Sequence, residues 1–326
     1  MVTALPSFKL VRPKTIDLAI AELARNSSAK LCAGGTDLIV NMRHGLGDFE
    51  TLVDVSQIKD MQELKLDGDR LRIGAGVKLS ILAQNNAVAR TFPVIHQACI
   101  AIAGPSHRNS ATVGGNLCLD TRCLFYNQSH WWRKSNDYCL KYRGTICHVA
   151  PKGNRCRAAF TGDLAPALIA CDAEIEIIGP GGKRTVGLRN FYREDGADHL
   201  KLEPQEIITA VSLNTSAANS AYRKIKVRGA MDFPLAGVAI VCHQNPPAEY
   251  SFSIAITGTN SCPIVIDAGS LKQDTDREEF FAGLNKLVQK SVSPQRTSTT
   301  APHYRRLAIA AVTVRLVKAF SGEGPK

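Results

Sequence analysis

The sequence predicts an α+β protein whose N-terminal part is α/β, and three observations lead there. Helix-period and strand-period apolar patterns alternate through the first hundred residues. Two Gly-Gly turns, in AGGTDL (33–38) and TVGGN (112–116), adjoin apolar strands. From residue 173 onward strand patterns dominate until helices return near the C-terminus. A chain of 326 residues is long enough for two or three domains, each with its own core.

The elements follow in order. TIDLAIAELARNSS places Ile16, Leu18, Ala19 and Leu23 at helical spacing, with Thr15 set to cap the first turn. AKLCAGGTDLIVNMRHG reads as a short strand, a glycine turn and a helix. TLVDVSQI alternates as a strand does, and LRIGAGVKLSILAQ repeats strand, turn and helix. Residues 92–103 form a further helix. DLAPALIACDAEIEIIGPGGKRTVGL predicts a short apolar helix and two strands joined at GPGGKR. EIITAVSLN, AYRKIKVRG, GVAIVCHQ and YSFSIAITGT are strands. A helix near 276–290 and a last amphipathic helix, YRRLAIAAVTVRLVKAF, complete the chain.

Hydrophobic content of 44% and charged content of 21% are those of a globular protein. No apolar run approaches the length of a membrane span, so no membrane partner is expected. The start, MVTALPSFKLVRPKT, lacks an apolar signal core, which predicts a cytoplasmic protein with reduced thiols. The formal charge of +11 comes with no nucleic-acid motif, so nucleic acid is not expected as a partner.

Half of the ten cysteines, both tryptophans and three of seven tyrosines fall within residues 118–158. That stretch carries eight Lys or Arg against two Asp, more than half of the net charge. Core packing accounts for one or two buried thiols, since free Cys behaves as a small hydrophobe, but not for five in one segment. From Cys123 the spacing is C-x15-C-x7-C-x8-C, through Cys139 and Cys147 to Cys156. Four thiolates suit zinc or an iron–sulfur cluster, and spacing alone leaves both open.

Glycine permits positive φ and lets a ligand approach the backbone closely. Successive N–H groups in such a turn make an anion-binding concavity. Two facing turns could hold a diphosphate, with Thr36 and Thr112 adding hydroxyls. Neither matches G-x-G-x-x-G, and GPGGKR lacks the Walker spacing. A single Gly-Gly pair is more often only a tight turn.

KLCAGGTDLIV, LVDVSQI, RIGAGV, AGPSHRNSATVGGNL, GDLAPALIACDAEI and AYRKIKVRGAMDFPLAGVAI occur in one order. In wording and order they resemble the flavoprotein subunits of the xanthine dehydrogenase and carbon monoxide dehydrogenase family. The resemblance implies an FAD-binding domain of two α/β subdomains over 1–216, divided near 57, and a small C-terminal α+β domain over 217–326. It implies FAD bound by Lys30, Leu31, Cys32, Ala33, Gly34, Gly35 and Thr36 on one side. Ala103, Thr112, Gly114, Gly115 and Asn116 lie on the other. Asp163 matches an acidic residue that contacts FAD, and a carboxylate suits ribose hydroxyls. Lys224 matches a basic residue near the flavin, with Lys226 and Arg228 within a small alignment shift.

Members of that family run from the GGN turn almost directly to GD-x-x-P, whereas here Asn116 and Asp163 stand 47 positions apart. Residues 118–158 therefore read as an insertion. CLFYNQSHWWR, YCLKY, CHV and a last cysteine resemble the insertion of one branch, the β subunits of 4-hydroxybenzoyl-CoA reductases. That likeness implies a 4Fe–4S cluster on Cys123, Cys139, Cys147 and Cys156. Cys118 is left over as a buried thiol and is the substitute for Cys123. His130 and His148 fall to surface or packing roles.

The same likeness implies an oxidoreductase subunit with no catalytic residue of its own. Molybdopterin would sit on a large partner subunit and 2Fe–2S clusters on a small one, in a dimer of heterotrimers. Reduced ferredoxin would feed electrons through the 4Fe–4S cluster and FAD toward molybdenum, for dehydroxylation of 4-hydroxybenzoyl-CoA in aromatic catabolism. A basic rim of Lys134, Lys141 and Arg143 would attract the acidic donor. The alternative is the FAD subunit of another xanthine or aldehyde dehydrogenase, its insertion structural and zinc-bound.

Overall fold

The first sheet of the computed structural model is parallel. It is formed by β1 (Lys9–Val11), with α1 (Ile16–Arg25) after it, then β2 (Ala29–Cys32), α2 (Leu38–Arg43) and β3 (Thr51–Asp54), in the order β1-β3-β2. The structure describes residues 4–47, 49–214, 217–245, 249–270, 277–296 and 300–322. Thr15 caps α1 through a side-chain bond from Leu18 N, as its position predicts, and Ala19 and Leu23 are the buried face.

The next segment comprises β4 (Leu64–Asp67), β5 (Arg70–Gly74), α3 (Leu79–Gln84), α4 (Asn86–Thr91), α5 (Pro93–Ala101), α6 (Pro105–Arg108) and α7 (Val113–Leu117). It continues with α8 (His130–Ser135), α9 (Leu164–Ala170), β6 (Glu174–Gly179), β7 (Gly182–Gly187) and β8 (Ile207–Leu213). Its sheet runs β4-β5-β8-β6-β7 and every neighbour is antiparallel. The tight turns joining β4 to β5 and β6 to β7 permit no other pairing, because a parallel neighbour needs a long crossover.

The last unit holds β9 (Ser220–Ile225), β10 (Ala236–Asn245), β11 (Glu249–Thr257) and β12 (Ile264–Ile266), ordered β12-β11-β10-β9, with α10 (Arg277–Ser291) and α11 (Pro302–Phe320). Residue 216, the expected domain boundary, lies outside the described residues, as does residue 276 at the start of the expected helix. The expected division near 57 falls between β3 and β4.

β10 explains how the last unit joins the rest. Along a strand successive side chains face opposite ways. Val238 and Ile240 enter a core shared with α10 and α11, whereas Ala239 and Val241 join the core that spans the first two sheets. Every residue of α9 is buried, and this helix packs against α5, β10 and β11. A helix apolar all round belongs between layers, so the start of α9 lies at the junction of the units.

His199 anchors the base of the 118–158 segment. Its ring lies 6.0 Å from that of Phe160, and its Nε2 stands 3.0 Å from the carbonyl of Leu119. Burial lowers its pKa from 6.5 to about 4. The unfolded chain therefore binds this proton more readily, and the stabilising preference is complete above pH 6.5 and lost as pH falls toward 4. From pH 7.5 to 4.5 the loss is about 2.5 kcal/mol. Urea unfolding at those two pH values should show a fall smaller by about that amount in His199→Gln; an equal fall would contradict the assignment.

Candidate cofactor sites

The first glycine turn leaves β2 at Cys32 and enters α2 through Asp37. Gly35 has φ +68°, a conformation that suits glycine. Gly34 is there for space. A Cβ on it would stand 1.9 Å from the carbonyl oxygen of Ser110. Ser110 leads into the second turn, so the two turns lie against each other, as the diphosphate expectation requires. The N–H groups of Gly35 and Thr36 find no acceptor among the described residues.

The second turn is closed from within. Thr112 accepts from Gly115 N at 3.2 Å, and Gly114 N donates to the carbonyl of Ala75 at 2.8 Å. A Cβ on Gly114 would stand 2.9 Å from that of Ala75. Asn116 Oδ1 receives Leu164 N at 3.2 Å and so ties this turn to α9. Ala103 closes the same side with φ +44°, which costs a residue with a Cβ about 1–2 kcal/mol. Arg108 holds the strained bend by donating to the carbonyls of Ile100, Ile102 and Ala103 at 3.1, 2.7 and 3.0 Å.

Asp163 is 4% exposed at the start of α9. Its two oxygens receive Tyr222 OH at 2.5 Å and Lys224 Nζ at 2.9 Å. Lys224 also donates to the carbonyl of Ala101 at 3.0 Å. Burial pushes the Asp163 pKa up, while the Lys224 ammonium and the Tyr222 hydroxyl oppose it. Lys226 instead bonds the carbonyls of Gly229 and Ala230, and Arg228 pairs with Asp232. Lys224 is thus the member of that basic run buried beside Asp163.

Lys30 is exposed and lies 5.9 Å from the Phe49 ring centroid, Leu31 packs against the main core, and Cys32 is half-buried. Ser110, Ala75 and Tyr222 were not foreseen from sequence. Tyr222 could have been, since it sits two residues before Lys224 on one strand and therefore on the same face.

Cys123, Cys139, Cys147 and Cys156 line one cavity, with Tyr126, Lys141 and His148 among its other walls. Ala158 N bonds the Cys156 sulfur at 3.4 Å, and burial pushes the Cys123 thiol up while the backbone of Phe125 and Tyr126 opposes it. Burial pushes the Cys156 thiol up to about 11, the Ala158 N–H and Lys141 pull it down, and Cys147 and Cys123 push it up again. Such mutual repulsion is what convergent thiols produce. Among the described residues no group of three or more His, Cys, Asp or Glu is arranged around a single metal ion. Cys118 lies apart, packed on the main core, and burial raises it to about 12.

The cysteine-rich segment is fastened to the first turn. Arg122 pairs with Asp37, the residue that opens α2, and donates to Asn41 Oδ1 at 2.9 Å. Lys141 corrects the expected basic rim. Its side chain is only 6% exposed, turned inward to Asp120 at 2.7 Å, so the exposed bases of the segment are Lys134, Arg143 and Lys152.

Fold and turns together make an α+β protein in which two glycine turns meet at one seam. The family described as the FAD binding domain in molybdopterin dehydrogenase matches residues 6–215, and the chain belongs to it. The aldehyde oxidoreductase FAD-binding subunit PaoB of Escherichia coli is 33% identical over 272 residues, 80% of this chain and 84% of that one. The carbon monoxide dehydrogenase medium chain of Afipia carboxidovorans is 27% identical over 314 residues, 95% of this chain and 94% of that one. The solved carbon monoxide dehydrogenase of Hydrogenophaga pseudoflava superposes with a TM-score of 0.79 at 22% identity, covering 99% of this chain and 100% of that one. The fold is that of the molybdenum hydroxylase FAD subunits. FAD fits what the turns present: close backbone approach across one seam, with the N–H groups of Gly35 and Thr36 unpartnered on one side of it. Among the described residues no helix is long and apolar enough to cross a membrane.

Proposed function

We propose that this chain is an electron-transfer subunit carrying FAD and a 4Fe–4S cluster for a molybdenum enzyme. FAD lies between the turns of Lys30 to Thr36 and of Thr112 to Asn116, with Ala103, Asp163 and Lys224 beside them. The cluster is held by Cys123, Cys139, Cys147 and Cys156. The observation that carries the reading is the meeting of these four sulfurs at one cavity although they span 34 residues of a loop-rich segment. Each thiolate of a cubane cluster binds its own iron, so the sulfurs stand farther apart than around one zinc ion. Bound there, the two groups supply one- and two-electron redox chemistry; the chain positions them and gives a sulfur-directed N–H group.

The finer reading is a 4-hydroxybenzoyl-CoA reductase type enzyme, cytoplasmic, with a large molybdenum subunit and a small 2Fe–2S subunit as a dimer of heterotrimers. Reduced ferredoxin is then the donor, in aromatic catabolism. The likeness of the insertion supports it. A second reading, an aldehyde oxidoreductase sending electrons outward, is supported by the identity with PaoB. The full chain purified without oxygen should carry about four iron, four sulfide and one FAD. Zinc in place of iron would defeat the cluster. In the whole complex, Lys134→Glu, Arg143→Glu and Lys152→Glu together should slow ferredoxin-driven reduction about tenfold at low salt and little at high salt. An unchanged rate would leave the outward reading.

A further inference from the structure

Among the described residues Arg133 is the largest fully buried side chain, 2% exposed. One terminal nitrogen donates to the Gly45 carbonyl at 2.6 Å, while Nε and the other terminal nitrogen have no partner among the described residues. No carboxylate there pairs with it. Its guanidinium carbon lies 4.9 Å from the Tyr142 ring centroid and 5.8 Å from that of Tyr126. Lys141 Nζ stands 4.5 Å from the same Tyr126 centroid. Tyr126 and Lys141 line the cysteine cavity, and both tyrosines pack with Cys123 and Cys139. Two buried cations thus crowd one ring of the cavity wall, and only Lys141 has a counter-ion, Asp120.

A buried guanidinium without a partner is costly unless negative charge lies nearby. The four thiolates and their cluster are the anion this place offers. Resting on the 4Fe–4S reading, we propose that Arg133, with Lys141, sets the reduction potential of the cluster and holds it higher than the thiolate shell alone would. Reduction takes one electron from an external donor and adds one negative charge without changing a bond. A fixed cation one ring away favours the reduced form, and low local dielectric strengthens the effect. These are positioning charges and touch no reacting atom.

The test is a dithionite titration of the full chain under anaerobic conditions, followed by the paramagnetic signal of the reduced cluster. At the wild-type midpoint, Arg133→Gln should lower the reduced-to-oxidised ratio about tenfold, a shift of ~59 mV to more negative potential for a one-electron couple. Arg133→Lys should restore most of it. Asp120→Asn, which frees Lys141 of its carboxylate, should move the midpoint the other way. Full iron with an unchanged midpoint in Arg133→Gln would overturn the proposal. If that variant fails to fold, an unmoved midpoint in Asp120→Asn overturns it instead. A wild-type chain without iron and sulfide would overturn the cluster itself.

Discussion

Alanine at any one of Cys123, Cys139, Cys147 or Cys156 is expected to reduce iron and sulfide from about four per chain to below one. Each of these thiols faces the same cavity, and three are nearly buried, at 9, 5 and 5% exposure for Cys139, Cys147 and Cys156. A cubane cluster that loses one protein thiolate has an iron open to solvent and oxygen. No other cysteine lines the cavity to replace it. FAD should remain near one per chain, since the glycine turns are built from other elements. Cys118→Ala should keep both groups, because Cys118 packs into the main core rather than the cavity wall. Iron, sulfide and flavin assays on the five variants decide the matter. Full iron in Cys123→Ala would remove that residue from the set. Loss in Cys118→Ala, with retention in Cys123→Ala, would exchange the two.

What could be read ahead of the structure, and what could not, divides by the range of the interaction. Thr15, the glycine turns and the strand patterns act within a few residues, so their chemistry is written locally. The four cysteines were legible as a set because packing gives no reason for so many thiols in one segment. Their separation from Cys118 followed from the likeness of the insertion; the cavity is lined by these four and not by Cys118. Lys141 shows the limit: composition counts its charge, but only the fold reveals that the ammonium turns inward to Asp120. Arg133 is more extreme, a basic residue in a polar run that ends 2% exposed between aromatic rings. Such outcomes depend on partners far along the chain, here Gly45, 88 residues away. The strand order of the second sheet has the same origin, since β8 pairs with both β5 and β6 across long separations.

Gly34→Ala is expected to abolish flavin binding under ordinary purification, with affinity lowered at least a hundredfold, about 3 kcal/mol. The new methyl would lie 1.9 Å from Ser110 O, 2.5 Å from its carbonyl carbon and 3.0 Å from Ala111 Cα. All three are backbone atoms, so no side-chain rotation relieves the clash. The chain must instead move at Ser110 and Ala111, the residues immediately before Thr112. Thr112 holds Gly115 N, and Ala111 O holds Leu79 N, so the displacement would pass into the second turn. The two turns would part along the seam proposed for FAD. Gly35→Ala should be milder, about 1 kcal/mol, because φ +68° strains a Cβ but the nearest neighbour is the flexible Ile39 side chain at 3.0 Å. Gly181→Ala is the control, since nothing lies within 4 Å of its Cβ position on the β6–β7 turn. Flavin per chain and FAD affinity of the refilled protein separate the three. If Gly34→Ala keeps full flavin while its iron content is also normal, the contact between the turns is packing alone and the cofactor lies elsewhere. If it loses flavin but retains iron, the seam is the FAD site and the cysteine segment folds independently of its occupancy.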